Sequence, residues 1–129
     1  MTTTMTTASI ARGYVETVGA HDLDPLADLF ADDLVARFAG ASYDKPAWVA
    51  ALGRLLPALE RNDVRQIFSD GDRACVDYDF VTNTDAGTIR CIELLTIDHG
   101  AITEIELIVD RVAFAPVNQA LSERAARTP

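Results

Sequence analysis

Asp77, Asp79 and Glu93 are the residues whose types and spacing suggest shared chemistry. Asp77 and Asp79 stand two apart in a run that reads as a strand, Ala74 to Val81, which puts both on one face. Glu93 lies in the next such run, Thr88 to Ile97, and the short turn Asp85-Ala86-Gly87 between the runs implies an antiparallel hairpin. That hairpin brings Asp77 or Asp79 nearly opposite Glu93, with the register open by a residue or two. Carboxylates so placed in a low-dielectric setting cannot all ionise, so one should keep its proton near neutrality and the group should supply an acid and a base. The alternative is that Asp77 and Asp79 face water or pair with Arg37 or Arg73.

Other chemistries find less support. Cys75 and Cys91 are too few for a disulfide framework and lack metal-ligand spacing, so they read as reduced thiols. His21 and His99 are the only histidines and lie far apart, which disfavours zinc; His99 reads as an exposed turn residue and His21 as a helix-end residue favourable to the dipole there. Ser9, Ser42, Ser69 and Ser122 lack a strand-turn-helix elbow and a suitably placed histidine. The 20 acidic residues against 11 basic ones leave a net charge of −9, which repels phosphate backbones and anionic lipid alike. Nucleic acid and membrane are therefore not expected partners. Nothing approaches the length of an apolar membrane span or has the form of a secretory leader, and the cytoplasm is the expected compartment.

The elements that position these residues follow from periodicity. At 129 residues, 49% of them apolar, the chain supports one core and reads as one domain, 1–129. Ile10, Tyr14, Val15 and Val18 recur at helical spacing after Ser9, a candidate N-cap, and the run stops at Gly19. Asp24-Pro25 opens a short second helix bearing Leu26, Leu29 and Phe30, which Asp32 and Asp33 stop. A short strand, Leu34 to Ala39, leads into a loop from Gly40 to Lys45. Pro46 then opens a third helix with Trp48, Leu52, Leu55 and Leu59 on one face, kinked or ended early by Pro57. Val64 to Phe68, Ala74 to Val81, Thr88 to Ile97 and Ile102 to Val112 read as strands. Residues 1 to 8 and the stretch from Asn118 to Pro129 read as frayed ends. The expected fold class is α+β, because no helix separates the long strands: a cone-shaped, curved, antiparallel or mixed sheet wrapped against three N-terminal helices.

The run from Tyr14 through Asp33, with Leu26-Ala27-Asp28-Leu29-Phe30-Ala31-Asp32-Asp33, and the closing stretch Glu93 to Ile102 resemble the nuclear transport factor 2-like superfamily. Its members include ketosteroid isomerases, limonene epoxide hydrolases and SnoaL-like polyketide cyclases. The resemblance covers about residues 9 to 114 and implies a cavity inside the cone. Laid onto ketosteroid isomerase, Tyr14 falls on the phenol of the oxyanion hole and Glu93 on its protonated carboxylic acid, a pairing that is also a standard case of a neutral acid in an apolar site. The general base falls on Phe38, which cannot abstract a proton. Laid onto limonene epoxide hydrolase, Asp79 falls on one catalytic aspartate. The other aspartate falls on Leu107, the arginine between them on Asp77, and the water-holding tyrosine and asparagine on Ala36 and Phe38.

With Glu93 turned inward, as the resemblance implies, strand alternation turns Cys91 and Leu95 inward too. The same reasoning turns Cys75, Asp77 and Asp79 inward on the preceding strand, and Ile105, Leu107 and Val109 on the following one. The expected catalytic set is Asp79 as base, with Glu93 and Tyr14 as donors to a substrate oxygen. Phe38, Trp48, Leu52, Asp77, Cys91 and Leu107 form the expected substrate wall. The other face, with Tyr78, Phe80, Ile92, Leu94 and Ile108, is also apolar, and a homodimer is its simplest cover. The expected function is cofactor-free, metal-free acid–base chemistry of isomerase, cyclase or hydrolase type on a small apolar molecule of polyketide, terpenoid or steroid-like skeleton. The alternative is a binding or dimerisation domain of the same fold without catalysis.

Overall fold

The protein is described by a computed structural model covering residues 6–127. Helix α1 spans Thr7–Gly19 and buries Ile10, Ala11, Tyr14, Val15 and Val18, the stripe that helical spacing marks out. Its cap is Thr6 rather than Ser9, because the Thr6 hydroxyl accepts the Ser9 backbone N–H at 3.0 Å. Helix α2 is a single turn, Leu26–Leu29. Strand β1, Phe30–Phe38, starts earlier than its sequence suggests, since the chain becomes extended at Phe30 while Asp32 and Asp33 stay exposed within a register shift. The Lys45 ammonium closes the α2 end by donating to the carbonyls of Ala27 and Phe30.

Ala41–Tyr43, expected as loop, forms strand β2 against β1. Helix α3, Lys45–Leu55, is capped by Asp44, has Pro46 in its first turn, and buries Trp48 and Leu52. A 3-10 turn carrying Pro57 follows at Leu56–Ala58. The rest of the sheet is β3 (Leu59–Asp70), β4 (Arg73–Thr82), β5 (Thr88–Asp98) and β6 (Ala101–Val109). The strand order is β2-β1-β6-β5-β4-β3, with β1 parallel to β6 and the other pairs antiparallel. Two register shifts in β3 help the sheet curl around α1, which packs on β3 and β4. The α+β expectation with a curved mixed sheet is met.

The end of the chain differs from expectation. The last strand stops at Val109, and Asp110 caps a fourth helix, α4, Arg111–Arg127, by accepting the N–H groups of Val112 and Ala113. Asn118 to Arg127 are therefore helical. Phe114 and Val117 are buried, and the Arg124 guanidinium donates to the carbonyls of Pro57 and Asn83. Residues 1–5 and 128–129, part of the expected frayed ends, lie outside the described residues.

Candidate functional site

Register decides which side chains meet inside the sheet. In β4 and β5 the pairs are Val76 with Glu93, Tyr78 with Cys91 and Phe80 with Ile89, and directly paired residues point to the same side. Glu93, Cys91 and Leu95 are buried inward, as expected, with Val76, Tyr78 and Phe80 beside them. The expectation for Asp77 and Asp79 is wrong by one residue. They pair with Ile92 and Arg90 and belong to the outer face.

Arg65 Nε donates to Asp79 at 2.9 Å, so this carboxylate is tied to a cation outside the cavity and does not act on a molecule within it. Asp77 accepts from Gln66 at 2.7 Å and from two guanidinium nitrogens of Arg90. Arg90's hydrogen bonds hold the Asp77 carboxyl at about 2, below its usual range, with Gln66 helping. Neither aspartate lines the cavity. The counterions weighed from sequence, Arg37 and Arg73, are not their hydrogen-bond partners. Tyr78 and Phe80, expected outside, are inside.

The inner face carries one polar cluster in an apolar wall. Tyr14, from the buried stripe of α1, donates its hydroxyl to Glu93 Oε1 at 2.7 Å, and Tyr78 donates to Glu93 Oε2 at 2.7 Å. Trp48, from the buried face of α3, donates its indole N–H to the Tyr14 oxygen at 3.2 Å. Burial pushes the Glu93 carboxyl above its ordinary value, and the two phenol hydrogen bonds offset only part of that. Burial, reinforced by the Glu93 charge, raises both phenols well above theirs, so both keep their protons. Burial also pushes the Cys91 thiol up to about 12, which makes it an inert wall residue.

The cluster opens on a cavity of about 150 Å³. A closed apolar cavity of that order takes roughly a benzene-sized molecule, but this one opens to solvent past Arg54 and Asn118 on its rim, so a longer skeleton can extend outward through the mouth. Of the expected wall, Phe38, Trp48, Leu52, Cys91 and Leu107 line it and Asp77 does not. Phe114 of α4 also lines it, edge-on to Phe38 with ring centres 6.4 Å apart. Sequence reasoning missed Tyr78 and Phe114. The signal for Tyr78 was the alternation Ala74, Val76, Tyr78, Phe80, which is the more apolar face of its strand. For Phe114 it was the spacing Phe114, Val117, Leu121 after Asp110. His21 has its Nε2 within hydrogen-bond distance of the Leu59 carbonyl, and His99 is exposed beside Asp98 in a turn. Among the described residues, no group of three or more His, Cys, Asp or Glu is placed to hold a metal ion.

Comparison with known proteins agrees with this fold. The profile of the SnoaL-like domain matches residues 11–105. No curated protein matches the chain. Among solved structures, a protein from Kribbella flavida DSM 17836 is 25% identical with a TM-score of 0.79, over 90% of this chain and 96% of that one. A steroid delta-isomerase from Pseudomonas aeruginosa is 19% identical with a TM-score of 0.74, over 93% and 91%. IdmH from Streptomyces antibioticus, assigned as a polyketide cyclase, is 17% identical with a TM-score of 0.76, over 89% and 99%. At these identities the last two likenesses are likenesses of fold.

Proposed function

Because the chain belongs to the SnoaL-like domain family, we propose that its cavity binds one small, mostly apolar, oxygen-bearing molecule and activates it by hydrogen-bond donation from Glu93. The observation that carries this reading is a buried carboxyl held between two phenols in an otherwise apolar pocket. Proton counting gives it chemical content. When Glu93 is ionised, its two oxygens accept the Tyr14 and Tyr78 protons, and the cluster has no O–H left for a ligand. When Glu93 takes up a proton, three hydroxyls share the same cluster and one becomes available to a ligand oxygen. Burial favours that neutral state.

Among the described residues Glu93 is the only carboxylate lining the cavity, and Phe38 stands where the family resemblance puts a base. The chemistry that fits is therefore acid-assisted: a carbonyl, epoxide or hydroxyl oxygen polarised by Glu93 and Tyr14 while the apolar wall holds the skeleton folded for rearrangement or ring closure. Polyketide, terpenoid and steroid-like skeletons suit such a wall. The lack of a second cavity carboxylate also favours one other reading, a binding domain that holds the same molecules without transforming them.

A thermal-shift and calorimetric screen against oxygenated apolar ligands tests the binding reading, since a ligand at about 100 times its dissociation constant adds roughly 2.7 kcal/mol of stability. Affinity for a carbonyl ligand should fall about tenfold per pH unit once Glu93 ionises. Glu93→Gln should retain binding and lose that pH dependence. Retained affinity at high pH in the wild type would remove Glu93 from the donor role. Turnover of a bound ligand by wild type but not by Tyr14→Phe would select the enzyme reading over the binding one.

The active form in this reading is a homodimer through the outer sheet face. Leu94 and Ile108 are 41% and 47% exposed there, in company with Phe68. The neighbouring groove carries both Arg37 and Arg73 and both Glu104 and Glu106, so a two-fold copy can pair opposite charges. A monomer by size-exclusion chromatography at micromolar concentration would refute it. No helix among the described residues is long and apolar enough to cross a membrane, and two free thiols suit the reducing cytoplasm as the place of action.

A further inference from the structure

Asn62 stands in β3 opposite Phe80 and lines the cavity. Its Nδ2 donates to the Val15 carbonyl of α1 at 3.0 Å. That bond fixes the amide orientation, because a carbonyl must face the NH2 and not the oxygen. Asn62 Oδ1 is thereby turned away, and it is buried without a hydrogen-bond partner, the one such side-chain atom among the described residues. A buried acceptor left without a donor is costly and uncommon in native proteins. Phe80, its partner across the strands, and Val15 and Val18, which line the same cavity, have no side-chain donor, and the Tyr78 hydroxyl is engaged with Glu93.

We infer that Asn62 Oδ1 accepts a hydrogen bond from a hydroxyl or N–H group of the molecule bound in the cavity. This rests on the cavity being a ligand site, and it narrows the ligand class. Glu93 pairs with Val76 and Asn62 with Phe80, on opposite sides of β4. The four-residue step between those positions is about 13 Å along the strand. The ligand is then an elongated apolar skeleton with an acceptor oxygen at the Glu93 end and a donor at the Asn62 end. A ketone or aldehyde that also carries a distal hydroxyl has this pattern. A ketone on a bare hydrocarbon leaves Asn62 unpaired, so the site discriminates against it.

The test uses 6-acetyl-2-naphthol and 2-acetylnaphthalene, which share a skeleton and a ketone and differ in one distal hydroxyl. Titrated into the wild-type protein by fluorescence at pH 6, the hydroxylated probe should bind about tenfold more tightly, as one good hydrogen bond to an otherwise unpaired group gives. In Asn62→Leu that ratio should fall to near one. A purely structural role for Asn62, holding α1 to β3, would weaken both probes equally and keep the ratio. If neither probe binds the wild type, the ligand-site reading falls and this inference with it. If both bind equally, or if the preference survives in Asn62→Leu, the Asn62 assignment is wrong while the ligand site stands. Should Asn62→Leu fail to fold, NMR of the labelled wild type decides. The Asn62 side-chain amide 13C and 15N resonances should shift with 6-acetyl-2-naphthol and not with 2-acetylnaphthalene, and equal shifts would overturn the assignment.

Discussion

Gly19, at the end of α1, lies so close to Asn62 that a Cβ at position 19 would stand 2.7 Å from the Asn62 backbone nitrogen and 3.0 Å from its Cβ. The helix can seat its last turn on β3 only because that Cβ is missing, and this contact holds Asn62 at the cavity wall. Gly19→Ala should therefore destabilise by about 1–3 kcal/mol through backbone displacement. Gly13, in the same helix, meets nothing within 4 Å of an added Cβ. Gly13→Ala should stabilise by about 0.5–1 kcal/mol through helix propensity alone. Thermal unfolding by circular dichroism reads both, at about 3–5 °C per kcal/mol for a domain of this size. Equal effects of one sign would disprove the packing argument.

Tyr14 and Tyr78 each give one hydrogen bond to Glu93, but only Tyr14 also accepts one, from Trp48. Tyr14→Phe removes the bond to Glu93 and leaves the buried indole N–H unpaired, whereas Tyr78→Phe removes a single bond. The expected losses are about 2–4 kcal/mol and about 1–2 kcal/mol respectively, taking about 1–2 kcal/mol for each buried polar group left unpaired. Urea unfolding with unchanged m-values measures the difference. If Tyr78→Phe proves the more damaging, the Trp48 bond is not worth what its geometry suggests.

The fold was legible because helical stripes such as Ile10, Tyr14, Val15, Val18 and the hairpin turns are local signals, and each element must bury its apolar side somewhere. That Glu93 and Tyr14 meet was legible for a different reason. Glu93 and Tyr14 lie on stretches that resemble known relatives, and the structure brings them to 2.7 Å. The base half was misread because Asp79 was assigned a face from a guessed register, and a one-residue slip moves every side chain of a strand to the other face. The five-residue connection between Thr82 and Thr88 sets that register, through Thr82 hydroxyl and backbone bonds to the Gly87 carbonyl that no spacing rule anticipates. Asn62 could not be found from sequence. Its importance lies in a bond it lacks, and that is visible only once Val15 is seen to take its amide.

The two cysteines should differ sharply toward alkylation. Cys91 is buried inside the sheet with its thiol pushed up to about 12, while Cys75 is half-buried on the outer face beside the groove containing Leu94. With iodoacetamide at pH 8, Cys75 should be modified first and Cys91 only at the rate of unfolding. Because the proposed dimer covers Cys75, its modification should slow as protein concentration rises. Mass spectrometry of timed samples reads both. Early modification of Cys91 would mean that the cavity wall opens in the native state.

Glu93 and Asp77 should leave opposite marks on the pH dependence of stability. Burial raises the Glu93 carboxyl above its ordinary 4.5, so just above pH 4.5 the folded chain holds a proton that the unfolded chain has released. Stability then falls as pH rises through that window, and the loss is complete above the raised value. Asp77, held at about 2 against an ordinary 3.8, contributes stability that is fully present above pH 3.8 and is lost as pH falls through about 2. Glu93→Gln removes the first slope and leaves the second. At pH 4, Gln should be no better than the protonated acid and somewhat worse, because its amide NH2 faces a phenol that now has no acceptor. Between pH 4.5 and the raised value the variant should gain on the wild type by about 1.4 kcal/mol per pH unit. Parallel melting curves of the two proteins from pH 4 to 8 supply the measurement. A constant gap across that range would mean that Glu93 ionises as it would in water, and the neutral donor proposed for the cavity would have no basis.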